Sequence, residues 1–384
     1  MSGPAQSFPG VAPDHAQAIL SVDLDALVAN WRLLGARAQG ADCAAVVKAD
    51  AYGVGLEPVA RALAKAGART FFVAQASEAT RLRAALAEVA GAAQARIYCL
   101  NGLLCEDATL AALLAADAIP ALGSPREFAF WTSRTDRPAA IHVDTGMNRL
   151  GMSLDEARAL ACDAQAGRIE LAMSHFASSE ISDAPMNAAQ IASFDVVRAL
   201  FAGARASLAN SSAIFLPGAP HYDVVRPGYA LYGGNPTPGA PNPMAPVVRL
   251  QARVIQTREV EAGASVGYNS TWSAPGPRRL ATIGVGYADG LLRAASGPAG
   301  QQGAVVFAGA PGRETPCPVV GRISMDLTVI DVSDAPADAV APGSLVEILG
   351  RCAGVDDLAA RAGTIGYEIL TGLGRRYARV YRGG

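Results

Sequence analysis

The stretch Ala44-Ala-Val-Val-Lys-Ala-Asp-Ala-Tyr-Gly-Val-Gly55 runs an apolar segment into a lysine. Ala44–Val47 are small or β-branched and read as a short buried strand. Lys48 then stands at the strand's C-terminal end, the mouth where a β/α barrel carries its active site. Partial burial there favours the neutral amine, the form that makes Schiff bases. A lone lysine in this place more often snorkels its amine out to water. The neighbours tip the reading. Tyr52 offers a phenol to a phosphate, and Gly53 and Gly55 permit a tight turn. Neither Gly53-Val-Gly55 nor Gly284-Val-Gly286 completes G-x-G-x-x-G, so a dinucleotide fingerprint is set aside.

Working outward, further apolar runs lie at Thr70–Ala74, Arg96–Leu100, Ala118–Leu122, Ala139–Val143, Ile169–Met173, Ala206–Asn210 and Asp223–Arg226. Between them fall stretches of helical period, among them Pro58–Ala66, Glu78–Val89, Leu154–Ala166 and Ala188–Phe201. Strands alternating with helices predict a parallel sheet, and eight strands suggest closure into a barrel. The pattern alone leaves an open doubly wound sheet possible. Near Asn235 the composition changes. Five prolines in the twelve residues 235–246 exclude a regular helix and read as a connection between domains. Beyond it, β-rich runs occur at Val247–Val260, Arg279–Val285, Ala304–Phe307, Leu327–Val332 and Ser344–Leu349. The expected organisation is a loose tail at 1–15, a β/α domain at 16–240 and a smaller, mainly β domain at 246–384.

At 384 residues the chain suits one large and one smaller domain. With 51% hydrophobic and 17% charged residues it is a folding sequence. A formal net charge of −2 gives no electrostatic case for nucleic acid or an anionic membrane. No apolar run is long enough to span a bilayer. The Pro/Gly-rich start has neither the basic residues nor the apolar core of a secretory signal. The six cysteines are scattered without C-x-x-C spacing, as buried reduced thiols of a cytoplasmic protein are. His15, His142, His175 and His221 show no ligand spacing, so no metal site is expected.

The segment Val46–Gly55 closely resembles the cofactor-lysine signature of alanine racemases. The resemblance continues in order through His142–Met152, Ser174–Glu180, Asn210–Ser212, Arg226–Gly233, Val266–Trp272, Gly284–Gly290, Gly321–Asp326 and Thr364–Tyr377, nearly the whole chain. It implies an α/β fold, an eight-stranded β/α barrel with a C-terminal mainly β domain. It implies a homodimer with shared active sites, pyridoxal 5'-phosphate on Lys48, and interconversion of L- and D-alanine that supplies D-alanine for peptidoglycan.

The same resemblance assigns residues. Tyr52, Asn210, Ser211, Gly228, Tyr229 and Tyr367 lie at the cofactor phosphate, Gly228 and Tyr229 through their backbone N–H groups. Arg226 faces the pyridine nitrogen. Many enzymes using this cofactor place a carboxylate there and strengthen the ring as an electron sink. An arginine stays charged at neutral pH and only donates, so the sink is weaker and the carbanion shorter-lived. Racemisation needs two acid/base groups on opposite faces. Lys48 and Tyr268 are those groups, Tyr268 coming from the partner subunit, with His175 bonded into the network. A free tyrosine ionises near ~10, so it needs such help. Arg149 approaches the cofactor's phenolic oxygen and the substrate carboxylate. Met325, Asp326 and Tyr287 close over the substrate, and Glu180, Arg293, Arg322 and Ile365 line the corridor. Tyr367 and Tyr287 leave room for little more than a methyl side chain.

One position departs from the pattern. Many members carry a carbamylated lysine where this chain has His142, and histidine forms no such carbamate. A chloride ion, a carboxylate or a different hydrogen bond must take over the orientation of Arg149. Three rival readings stand beside this one. A broad-specificity racemase is the hardest to exclude. A barrel-type decarboxylase, the nearest rival, puts a carboxylate on the ring nitrogen, against Arg226. A non-catalytic cofactor-binding barrel lacks a β domain carrying a second base.

Overall fold

The structure is a computed structural model that describes residues 6–7, 14–38, 40–298, 300 and 303–384. The chain divides into two compact units. One holds residues 27–231 and 235–244, the other residues 1–26, 232–234 and 245–383.

In the first unit, every one of the eight apolar runs becomes a strand. They are Asp42–Val46 (interrupted at Ala44), Thr70–Val73, Arg96–Cys99, Ala118–Leu122, Ala139–His142, Ile169–Met173, Arg205–Ser207 and Val224–Val225. Each pairs in parallel with the next from the first to the seventh. The eighth pairs in parallel with the first, Val224 against Asp42 and Val225 against Cys43. It also meets the seventh, where Asp223 N donates to Ala206 O at 3.0 Å and Arg226 N to Ala209 O at 2.9 Å. The ring is closed, and the open sheet is excluded. Strands such as Thr70–Val73, Ala118–Leu122 and Ala139–His142 are buried at every residue, as parallel strands covered on both faces must be.

Helices return the chain from strand to strand. Leu56–Lys65 buries Leu56, Val59, Ala60 and Leu63, one stripe at helical period. Leu154–Ala161 begins with a capping box. Ser153 Oγ accepts Glu156 N, and Glu156 Oε2 accepts Ser153 N at 2.7 Å.

The second unit is built on a nine-stranded sheet. Its longest strand, Val248–Val260, shifts register between Val254 and Gln256. Before the shift it pairs with Ala18–Asp23 and Leu345–Leu349, and beyond it mainly with Arg278–Ile283. Ala18–Asp23, read from sequence with the barrel, thus hydrogen-bonds into the β sheet. Its residues alternate buried and partly exposed, the mark of a strand with one covered face, unlike the barrel strands. Most of the expected tail at 1–15 lies outside the described residues; Gln6–Ser7 pair with Val380–Tyr381. A core of Val266, Leu280 and Val320, backed by Val260, Trp272 and Val329, fills this part of the unit.

All six cysteines are free. Cys43, Cys99 and Cys317 are buried, but Cys105 and Cys352 are half-buried and Cys162 is exposed at a helix end, against the expectation of burial throughout. Among the described residues no helix is long and apolar enough to cross a membrane.

Candidate active site

Lys48 stands at the end of the first barrel strand, and the backbone beyond it takes a rare conformation. Ala49, Asp50, Ala51 and Tyr52 all have φ between 53° and 54°, one turn of left-handed helix built without glycine. Each such residue costs roughly 1–2 kcal/mol. Gly53 and Gly55, expected to carry the turn, come after it with φ of 80° and 111°. Gly53 N donates to Ala49 O at 2.8 Å and Gly55 N to Asp50 O at 2.9 Å. The turn leaves Lys48 half-buried and Tyr52 buried. Burial, then the charges of Arg149 and Arg226, lower the Lys48 amine below its ordinary value, while Glu78 works in the opposite direction. Burial raises the Tyr52 phenol, so it serves as a neutral hydroxyl.

The loop after the seventh strand meets the end of the eighth. Ser211 Oγ accepts Gly228 N at 3.0 Å and Ala230 N at 3.3 Å. A Cβ at Gly228 would overlap the Tyr52 hydroxyl, so only glycine lets the phenol reach this backbone. A buried serine, a phenol and converging N–H groups make a cradle that fits a phosphate. Asn210 Oδ1 accepts Ser179 Oγ at 2.8 Å and Ala213 N at 3.0 Å, holding this loop. Tyr229 is buried beside it.

Arg226 is only 4% exposed, so it is not a surface arginine. Its guanidinium donates to Ser207 Oγ, Ser174 O and, at 3.4 Å, Leu208 O. None of these partners is a carboxylate. Burial pushes it down to about 9, so it remains a cation at neutral pH. Its Nη2 also lies 3.4 Å from His175 Nδ1. Burial, then Arg226, Lys48, Arg149 and His142, drive His175 well below its ordinary value. His142 closes the fifth strand, and burial, Arg226 and Arg149 push it down to about 4. Its Nδ1 is buried without a hydrogen-bond partner among the described residues. His142 is therefore a neutral imidazole in a cationic setting, and its own side chain supplies no negative charge in place of the carbamate. Asp144 Oδ1, two residues on, accepts Gly146 N and Met147 N, both at 2.9 Å.

Of the remaining expected residues, Glu180 belongs to the barrel unit and the others to the second unit. Tyr287 N donates to Ser324 O and Ala288 N to Met325 O, each at 3.0 Å. A Cβ at Gly286 would overlap the carbonyls of Ser324 and Met325. Arg376 ties the two segments, its Nε 2.6 Å from Asp289 Oδ1 and its Nη1 2.8 Å from Asp326 Oδ1. The Gly267 backbone packs on Arg322, and Tyr268 comes next, 64% exposed. Met325 and Ile365 are exposed too, and Tyr367 lies in the short helix Gly366–Thr371. In the barrel unit Arg149 and Arg226 act on Lys48 and His175, and Ser211 meets Gly228 against Tyr52. In the other unit the Tyr287 and Met325 segments are paired through their backbones.

Comparisons with known proteins show the family. Residues 22–236 match the family described as "Alanine racemase, N-terminal domain", and residues 247–381 match "Alanine racemase, C-terminal domain". The chain belongs to the alanine racemase family. An alanine racemase of Methylobacterium sp. (strain 4-46) is 52% identical over 94% of this chain and 97% of that protein. One from Rhodospirillum rubrum is 46% identical over 96% and 97%. Among solved structures, the alanine racemase of Bartonella henselae, with covalently bound pyridoxal phosphate, is 37% identical. It covers 95% of this chain and 99% of its own, with a TM-score of 0.85.

Two residues that sequence reading passed over shape this alanine racemase fold. Glu78 reaches back to the turn after Lys48, and Arg376 fixes the Asp326 segment. The spacing Gln75-x-x-Glu78 is a capping-box pattern, and it was the available signal for Glu78. Arg376 stands in a run of arginines that names no partner.

Proposed function

We propose that this chain interconverts L- and D-alanine, with pyridoxal 5'-phosphate held in the barrel and Lys48 and Tyr268 as the two acid/base groups. The observation that carries the proposal is Lys48 at the barrel mouth beside a phosphate cradle and a buried, carboxylate-free Arg226. When bound, the cofactor supplies the electron sink that loosens the α-proton of the amino acid. Ser211, Tyr52 and the N–H groups of Gly228 and Tyr229 hold the phosphate, with Asn210 bracing the loop and Tyr367 as a further ligand. Arg226 donates to the ring nitrogen and cannot accept a proton back, which keeps the sink weak and favours reprotonation over transamination. Lys48, with its lowered amine, takes or returns a proton at Nζ on one face. Tyr268 does the same at its hydroxyl on the other. Arg149 binds the substrate carboxylate, and Met325, Asp326 and Tyr287 close the pocket around a methyl group.

Tyr268 comes from a second copy in this reading. Its support is the exposed apolar side chains on both units. Leu104, Leu150, Ile181 and Met186 are exposed on the barrel unit, and Tyr268, Tyr287, Met325, Leu327 and Ile365 stud the β unit. The protein works in the cytoplasm, where D-alanine enters peptidoglycan precursors. Purified holoenzyme incubated with single-enantiomer amino acids tests the proposal. Optical inversion of alanine is expected, with slower or no inversion of larger side chains and no CO₂ release. Release of CO₂ from a basic amino acid would instead identify a decarboxylase.

A further inference from the structure

The left-handed turn at 49–52 cannot be explained by its own residues. Ala and Tyr avoid this region of backbone space, and Asp enters it as a single residue rather than in a run, so neighbours must hold the four there. Glu78, third residue of the helix Ala76–Ala87, supplies the nearest restraint. Its Oε2 accepts Ala74 N at 2.8 Å and Gln75 N at 3.1 Å, at the helix's own start. Its Oε1 accepts Ala49 N at 2.6 Å, the first peptide after Lys48. One carboxylate therefore joins three backbone donors, two in a regular helix start and one in the strained turn. Further along the same helix, Arg81 adds a second grip. Its Nη2 lies 2.7 Å from Asp50 Oδ1, and its Nε lies 2.7 Å from Glu57 Oε1, beyond the turn. Asp50 Oδ1 also accepts Leu56 N at 3.2 Å.

We propose that Glu78 is a positioning residue for Lys48: its carboxylate pins the left-handed turn to the helix start and so fixes where the lysine amine stands. The partners of the Glu78 carboxylate are the backbone N–H groups of Ala49, Ala74 and Gln75. The proposal rests on Lys48 being the cofactor lysine. Glu78 also opposes, as an anion, the Arg149 and Arg226 charges that act on Lys48.

Glu78→Ala and Glu78→Gln holoenzymes test this by amide hydrogen exchange, read on peptides covering 48–55 and, as an internal reference, 118–122. The rate at which stripped protein re-forms its lysine–cofactor linkage, read by absorbance, is the second measurement. Glu78→Ala should speed exchange in 48–55 at least ~10-fold, leave 118–122 unchanged, and slow linkage formation to a similar degree. Glu78→Gln fills the same space and keeps one acceptor oxygen, so it should fall between the parent and the alanine variant. Should Glu78→Ala fail to fold, faster exchange confined to 48–55 in Glu78→Gln decides in favour. Parent-like exchange and linkage rates in the variants overturn the proposal. Borohydride mapping of the parent separates the two failures: a label away from Lys48 sinks the site reading, whereas a label on Lys48 with parent-like variants sinks the role of Glu78 alone.

Discussion

Arg226 Nη2 lies 3.4 Å from His175 Nδ1, joining the ends of the eighth and sixth barrel strands. The pair sits in a cluster of cations and neutral imidazoles, with Lys48, Arg149 and His142 acting on the same histidine. Such a cluster is costly to bury alone, and a phosphorylated, anionic ligand relieves it.

The first consequence concerns Arg226. Replacing it with glutamate permits protonation of the ring nitrogen and strengthens the electron sink. Arg226→Glu should slow racemisation by about 10²-fold, the scale of one lost transition-state contact, and raise the keto-acid side product. Chiral chromatography of alanine together with pyruvate assay measures both. Unchanged product partitioning would mean that Arg226 does not address the ring.

Lys48 should carry the cofactor. Borohydride reduction of the holoenzyme followed by peptide mapping should place the label there and on no other lysine. Lys48→Ala should lower racemisation by ~10³-fold or more while leaving the melting temperature of the stripped protein near that of the parent.

His142 makes stability depend on acid. Its pKa drops from the ordinary 6.5 to about 4 on folding. Above 6.5 it is neutral in both states and contributes no pH dependence. As pH falls toward 4, only the unfolded chain takes up the proton, so the folded state loses stability. The full difference is at most about 3 kcal/mol. His142→Asn cannot titrate, so denaturant midpoints should fall less steeply between pH 6.5 and 4 in the variant. Parallel slopes for the two proteins would show that His142 is protonated in the folded chain.

If Tyr268 serves the partner's site, two inactive variants should complement each other. Lys48→Ala and Tyr268→Ala homodimers each carry a defect in both sites. After subunit exchange, a heterodimer holds one doubly defective site and one intact one. A random equimolar mixture should recover about a quarter of parental activity. Verified exchange without recovered activity would place both groups in one chain.

The barrel strands were legible because burial on both faces makes them continuous apolar runs, such as Ala118–Leu122. The placement of Ala18–Asp23 was not, because its partners lie more than 200 residues away in sequence and nothing local names them. Ser211 and Gly228 were legible as a pair through resemblance, and their geometry has a physical reason, the phenol packed against a residue without Cβ. The left-handed turn could not be read from Ala-Asp-Ala-Tyr, since none of these residues prefers it. It is held by Glu78 and Arg81, and tertiary ties of that kind leave no periodicity behind.

The strand Ala18–Asp23 lies between Val248–Val260 and Ala378–Arg382, so the sheet joins nearly the first and last residues of the chain. On the ribosome, residues 27–231 emerge as a self-contained barrel that can close while synthesis continues. The N-terminal strand has no such freedom. At about 5–20 residues per second it must wait tens of seconds for its far neighbour to be made. During that interval its apolar face, Ala18, Leu20 and Val22, is open to chaperones or to the same strand of another nascent chain.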